Sequence, residues 1–422
     1  MRQLFLLLSL FFTFVVHAQR FEDYFADKTL RLDYIFAGNQ ATQHVYLHEM
    51  VSLDKWHGRK SNLGTTPIQG YGQIKVYDKS TQELIYVLPF GSLFQEWLTL
   101  DEAKTTTKSF ENTFLIPFPK NEIDIQVLFF NAKNEGQILL QHTVNPNDIL
   151  IKKTNPHHHI PYEVIHSSTS ENPIKIAIIA EGFSQSEMDD FMDFAKKTKE
   201  SLFGHEIFDK HKNSFEIIAV QSVSEKSGVS VPSEGKWSNS VANTHFDTFY
   251  SPRYLTTSHV FQLHDLLANI PYQHIIILAN TDVYGGGGIL NSYAISTTKN
   301  SQFAAVVVHE FGHSFTGLAD EYFYQEDIFE NKATQQIEPW EKNITSLTDF
   351  DKKWKSLLSP NTPIPTPDSL ANDTAIGVFE GLQGNGLYIP SHHCRMKTNQ
   401  AIDFCLVCRQ AIKEMMFFYT LN

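Results

Sequence analysis

VVVHEFGHSFTGLADEY, residues 306–322, sets two histidines four positions apart with a glutamate beside the first, then a glycine and an acidic pair. On an α-helix, residues four apart are displaced by roughly 40° and about 6 Å along the axis. His309 and His313 therefore project from one face, where their imidazoles can close on a single tetrahedral ion at about 2.0–2.1 Å. Glu310 stands one step round the helix and can reach a water on that ion without being a ligand. Gly317 suits a left-handed helix end. A chain that turns there can bring Asp320 back as a third ligand, with Glu321 next in order and His393 after it.

The wider run SQFAAVVVHEFGHSFTG, residues 301–317, reads as a helix capped by Asn300 or Ser301. Three consecutive valines are poor helix formers, so burial against a sheet is needed to keep them helical. Two imidazoles, a carboxylate and an open position suit one catalytic zinc ion. Such an ion polarises a scissile carbonyl and lowers the pKa of its bound water toward about 7. Glu310 would take the water's proton and pass it to the leaving amine, which is peptide-bond hydrolysis without a covalent intermediate. The plain alternative is a helix whose histidines are merely buried and hydrogen-bonded.

Upstream, the rhythm changes twice. Residues 19–153 hold short runs rich in β-branched and aromatic residues, such as QHVYLHEMV, GQIKVYD and IDIQVLFFN, separated by polar clusters. That pattern predicts an all-β sandwich with no catalytic cluster. Residues 154–173 are polar, carry three prolines and the run His157, His158 and His159, and read as a linker. Residues 174–422 alternate apolar strands (KIAIIAEGF, FEIIAVQSV, QHIIILANTD) with helical stretches, which predicts a largely parallel sheet with helices packed on it. The glycine run YGGGG that follows the third strand lacks the GK[ST] of a nucleotide cradle. It reads as a flexible turn into an edge strand, residues 289–296, that lines a cleft. Gly286, Gly287, Gly288, Asn291 and Tyr293 are the candidate substrate-binding residues, because an extended peptide can add to such an edge.

The opening MRQLFLLLSLFFTFVVHA, residues 1–18, has Arg2, an apolar run and small residues at Val16 and Ala18, as a cleaved secretory signal does. The expectation is an exported protein without membrane insertion, in the periplasm, at the cell surface or outside the cell. A chain of 422 residues suggests two domains, and 33 phenylalanines give ample core. The formal charge of −13 argues against nucleic acid or an anionic membrane as the main ligand. The partner expected is a protein or peptide substrate. Cys394, Cys405 and Cys408 are the only cysteines. In an exported chain they predict one disulfide and a spare thiol. A three-thiolate zinc site would need a fourth ligand, and the cluster reads as a local staple. Asn343-Ile344-Thr345 matches a glycosylation sequon.

HEFGHSFTGLADEY resembles the signature of the IgA-peptidase family of zinc metallopeptidases, within the metzincin group. NTHFDTFYSPRYL (243–255), YGGGGILNSYA (284–294), PWEKNITSLTDFDKKW (339–354) and CRMKTN (394–399) resemble further segments of it, as does the β-rich first domain. The resemblance covers most of the mature chain. It implies an α/β metzincin-like catalytic domain behind the β-sandwich, His309 and His313 as zinc ligands, Glu310 as base, and Met396 in the turn beneath the metal. One departure stands out: the common metzincin pattern has glycine seven and the third ligand ten residues after the first histidine, whereas Gly317 and Asp320 each fall one later. The residues also admit two other readings. One is a binding or adhesion module with an inactive or structural zinc site; the other is a zinc hydrolase of a cell-wall amide.

Overall fold

The structure is a computed structural model that describes residues 19–154, 160–322, 337–372, 374–382 and 386–421. The predicted signal and the run His157–His159 lie outside them.

After a single helical turn, α1 (Phe21–Tyr24), the chain forms two four-stranded sheets. One contains β1 (Phe25–Gly38), β2 (Gln43–Leu53), β5 (Lys108–Pro119) and the short β8 (Lys152–Lys153), in the order β5-β1-β2-β8. The other contains β3 (Gly72–Asp78), β4 (Leu84–Phe90), β6 (Ile123–Phe130) and β7 (Gly136–Val144), in the order β4-β3-β6-β7. Alternate side chains point inward, as the two-residue period of a strand requires. Leu30, Leu32, Tyr34 and Phe36 of β1 meet Ile74 and Val76 of β3 and Ile125, Val127 and Phe129 of β6 in one apolar cluster. Between β4 and β5 lies α2 (Leu93–Trp97), whose first turn is capped by the Ser92 hydroxyl accepting from the Gln95 N–H at 3.3 Å.

The second domain is built on a six-stranded sheet that runs, in order, β13 (Gly286–Ile289), β14 (Tyr293–Thr297), β12 (His274–Ala279), β10 (Ile174–Glu181), β11 (Phe215–Val220) and β9 (Tyr162–His166). Its centre is parallel: β14, β12, β10 and β11. Both faces are covered, which is why these strands read as unbroken apolar runs. Ile174, Ile176 and Ile178 of β10 pack with α3 (Met188–Phe203), α6 (Phe303–Phe311) and α7 (Leu406–Thr420). Ala177 and Ile179, one residue out of phase, face α5 (Val260–Leu266) on the other side. The Ser184–Glu187 capping box starts the turn that leads into α3, and α4 (Glu206–Lys210) follows it. A small hairpin, β15 (Phe379–Leu382) and β16 (Leu387–Ile389), sits in the loop-rich part.

The expected linker is not all loop. Tyr162–His166 forms β9 and pairs antiparallel with β11. An edge strand draws on backbone hydrogen bonds to one neighbour, and YEVIH, mostly exposed, carries little apolar signal.

The two domains share apolar clusters. Ile68 packs into the core under α6 and Leu93 into the core on the opposite face of the sheet. The Gly91 N–H donates to the Leu290 carbonyl at 3.1 Å, and Asn291 Nδ2 donates to the Pro89 carbonyl at 2.8 Å. The buried Arg31 guanidinium bonds Asp33 at 2.7 Å and reaches across to Asp265 at 2.6 Å. Among the described residues no helix is long and apolar enough to cross a membrane.

Candidate active site and metal centre

Burial overrides propensity in α6. Val307 and Val308 are fully buried and Val306 nearly so, against β13 (Gly286–Ile289), β14 and α3. The helix begins at Phe303 with no side-chain cap; Asn300 Oδ1 accepts from the Gln302 N–H at 2.9 Å, just before it. Beyond Phe311 the coil widens into a π turn, Gly312–Thr316, which ends at Gly317 with φ +67°. A side chain at Gly317 would also press on the Trp340 ring, 2.8 Å from the place of its Cβ.

His309 and His313 leave this segment on one face. Their Nε2 atoms lie 3.1 Å apart, and Asp320 Oδ1 lies 3.0 Å from the first and 3.1 Å from the second. A tetrahedral ion with ligands at about 2.1 Å would hold them about 3.4 Å apart, so a few tenths of an ångström of opening admits one. The opposite ring nitrogens are committed. His309 Nδ1 is 3.0 Å from the Arg395 carbonyl and His313 Nδ1 is 2.6 Å from the Leu318 carbonyl. A carbonyl only accepts, so each Nδ1 carries the proton and each Nε2 keeps its lone pair for the centre of the triad. The Glu310 carboxylate has an oxygen within 4.8 Å of both histidines' ligand nitrogens.

The electrostatics favour a cation. Burial alone would lower the His313 pKa, but the Asp320 carboxylate outweighs it and raises it to about 9. Burial alone would raise Asp320; His313 and His309 overcome that and hold its carboxyl far below the usual range. Burial raises Glu310, with the two imidazoles opposing.

The three candidates for the carboxylate position separate cleanly. Asp320 reaches the imidazoles, with 44% of its side chain still exposed. Glu321 is fully buried and turns the other way, to Asn343 Nδ2 at 2.9 Å and the Cys408 thiol at 3.1 Å. His393 is exposed, and its backbone N–H donates to the Ser391 hydroxyl at 3.1 Å. Met396 is fully buried, 2.9 Å from where a Cβ on Gly312 would sit, and its carbonyl accepts from the Glu321 N–H at 2.9 Å. The sequon asparagine is no glycan acceptor in this fold: Asn343 is buried, and its amide holds both the N–H and the carbonyl of Ala319 at 2.8 Å.

The glycine run takes a different form from the flexible turn expected. Gly286–Ile289 is itself the edge strand, β13, and residues 290–292 turn into β14. It needs glycine because it lies directly on the histidine helix. A Cβ at Gly286 would sit 2.6 Å from Glu310 Oε1, and one at Gly288 would collide with the Glu310 carbonyl and lie 2.7 Å from the His313 Cβ. The edge beside Gly286 is already taken, since its N–H donates to Arg253 and its carbonyl accepts from Leu255, each at 3.2 Å. Gly287 faces the Leu255 carbonyl and the Tyr254 ring. Asn291, at φ +53°, bonds Pro89, Ser314 and Tyr419. Tyr293 is buried, with its hydroxyl bonded to the Thr257 backbone.

Sequence reasoning saw no site residue in the first domain, yet two reach this cleft. Glu96 of α2 accepts from the Tyr254 hydroxyl. Burial raises its carboxyl to about 7 against that hydrogen bond, and the charges of His313, Asp320 and Glu310 all act on it. The Tyr71 hydroxyl donates to Glu341 Oε1 at 3.0 Å, and Asp320 is among the charges acting on it. A lone acid in SLFQEW gives no spacing signal; only the docking of α2 reveals it.

The disulfide expectation is overturned. Cys394, Cys405 and Cys408 are all free and buried, and the Sγ atoms of Cys394 and Cys408 are 3.6 Å apart.

Two family models match this chain. Residues 162–374 match the family described as IgA Peptidase M64, and residues 20–141 match the one described as Peptidase M64 N-terminus. No curated protein matches the chain. The two matches run through both domains and include the histidine helix and the Asp320 loop. The chain belongs to the M64 family of IgA peptidases, with that family's N-terminal domain in front, and is a metal-dependent peptidase.

Proposed function

We propose that this chain is an exported zinc endopeptidase of metzincin type in which His309, His313 and Asp320 hold the ion and Glu310 is the general base. The observation that carries this is the convergence of two Nε2 atoms and one carboxylate oxygen within 3.1 Å, with both Nδ1 atoms donated to backbone carbonyls. Two imidazoles, one carboxylate and an accessible fourth side are the donor set of a catalytic zinc rather than a structural one. A bound divalent cation there supplies Lewis acidity and brings the attacking water's pKa toward about 7.

The chain's own groups do the rest. Glu310, its pKa raised by burial, is fitted to take a proton from that water and return it to the leaving nitrogen. β13, pressed on α6 by its glycines, fixes the Glu310 carboxylate from one side. A substrate strand can pair only along what remains of the β13 edge beyond Gly286, so the cleft favours a short extended stretch of polypeptide. Met396 closes the floor beneath Gly312, the place the methionine of a metzincin turn would take. The leader at residues 1–18 supports export. Family membership supports a peptidase, and so a protein or peptide substrate, over a binding module or a hydrolase of a cell-wall amide.

The test is Glu310→Gln against an unfolded protein substrate. Cleavage should fall by about 10²–10⁴-fold with metal content unchanged. Parent-like cleavage would remove Glu310 from the mechanism.

A further inference from the structure

Beneath the cleft lies a second group of ligand atoms. Glu321, Cys394, Cys405 and Cys408 are all buried, and one oxygen and three sulfurs lie within 4.8 Å of one another. The geometry points to a second metal centre in this chain, a structural zinc held by Cys394, Cys405, Cys408 and Glu321. The inference does not rest on the assignment of the catalytic site.

Four observations carry it. First, the spacing fits: sulfurs at about 2.3 Å from a tetrahedral zinc stand about 3.8 Å apart, and Cys394 and Cys408 stand at 3.6 Å. Second, the group is closed, with four protein ligands and no open side, as structural zinc requires. Third, a buried acid is left over. Glu321 Oε1 accepts from Asn343 and Cys408, but Oε2 is buried with no partner among the described residues. An orphaned carboxylate oxygen facing thiols is costly without a cation. Fourth, the backbone is arranged for thiolates. The Cys405 N–H donates to the Cys394 sulfur at 3.3 Å. Cys405 stands at the N-cap position of α7 and Cys408 in its first turn, where the helix dipole favours negative charge. A single disulfide would use two sulfurs and leave both the third thiol and Glu321 Oε2 unanswered.

Soft thiolates select zinc over magnesium or calcium. Loading releases the three thiol protons and any proton on Glu321, with no redox change. The tie would lie where the catalytic cleft needs stiffness. Cys394 is two residues before Met396 and one before Arg395, whose carbonyl orients His309. Glu321 follows Asp320 and donates its N–H to Met396. One ion would pin the Asp320 loop, the Met396 turn and α7 together. The three cysteines lie beyond the segment matched to the family.

The experiment uses the mature chain expressed with zinc. Two ions per chain are expected. Treatment with a chelator should strip the one held by His309, His313 and Asp320. A thiol-binding mercurial should then release the second while titrating three thiols. With cobalt in place of zinc, thiolate-to-metal charge-transfer absorption should persist in His309→Ala and vanish in Cys405→Ser. The inference is overturned if the mercurial releases no ion from the chelated parent chain, if only one thiol titrates because the other two form a disulfide, or if cobalt gives no charge-transfer band in the parent. Loss of the chelator-sensitive ion alone would strike the catalytic assignment and leave this one standing.

Discussion

Asp320 and Glu321 are neighbours in sequence and opposites in circumstance. Asp320 is 44% exposed and faces two imidazoles across an accessible cleft; Glu321 is fully buried and faces three thiols with no way in for solvent. One turn of chain after Gly317 thus feeds two clusters. The open one brings three ligand atoms together with an exposed carboxylate among them. The closed one brings four together, all buried. Openness is what separates chemistry from construction here, since both clusters use ordinary metal ligands.

That contrast can be broken most forcefully by emptying each cluster in turn. His309→Ala with His313→Ala should abolish turnover, a fall on the order of 10³ or more, and leave urea stability in chelator within about 1 kcal/mol of the parent. Cys405→Ser with Cys408→Ser should instead cost about 3 kcal/mol or more of urea stability in zinc. If the two pairs had the same effects, the division into open and closed sites would be wrong.

A smaller effect tests how tightly β13 is seated on the open cluster. Gly288→Ala places a methyl against the Glu310 carbonyl and the His313 Cβ. It should cost roughly 1–3 kcal/mol and lower kcat more than it raises KM. Parent-like kinetics would show that the strand has slack.

The smallest concerns the first domain. The Glu96 carboxyl rises from 4.5 to about 7 on folding, chiefly through burial. Below about pH 4.5 it is protonated in both states and contributes nothing. Between 4.5 and about 7 the folded state holds the proton more firmly, so stability falls as pH rises, and above about 7 the whole penalty applies. In metal-free protein, Glu96→Gln should therefore flatten the loss of urea stability between about pH 5 and pH 8 by on the order of 1 kcal/mol. An unchanged slope would place Glu96 in water.

How much of this was legible in the sequence follows the same contrast. The histidine helix was, because two ligands and a base at fixed helical spacing constrain one another within five residues, and Gly317 marked where it ends. The alternating strands of both domains were legible because burial writes its period into the residues. β9 was not, since an edge strand is held by backbone bonds that YEVIH does not display. The glycine run was read as flexible, but glycine there answers a close approach by α6 that no local pattern shows. Glu96 came from 214 positions before Glu310 and needed the docked domains to be seen. Glu321 as partner to the cysteines was hidden for a related reason: more than seventy residues separate it from Cys394, and only the fold brings them together.

The central claim is that His309, His313 and Asp320 share one ion. Anomalous diffraction from zinc-grown crystals, measured at the zinc edge, tests it most directly. A peak about 2.0–2.2 Å from both Nε2 atoms and an Asp320 oxygen, with Glu310 outside bonding distance, is the result expected. A pocket with no anomalous peak there, or a peak that Asp320 does not touch, would contradict the account.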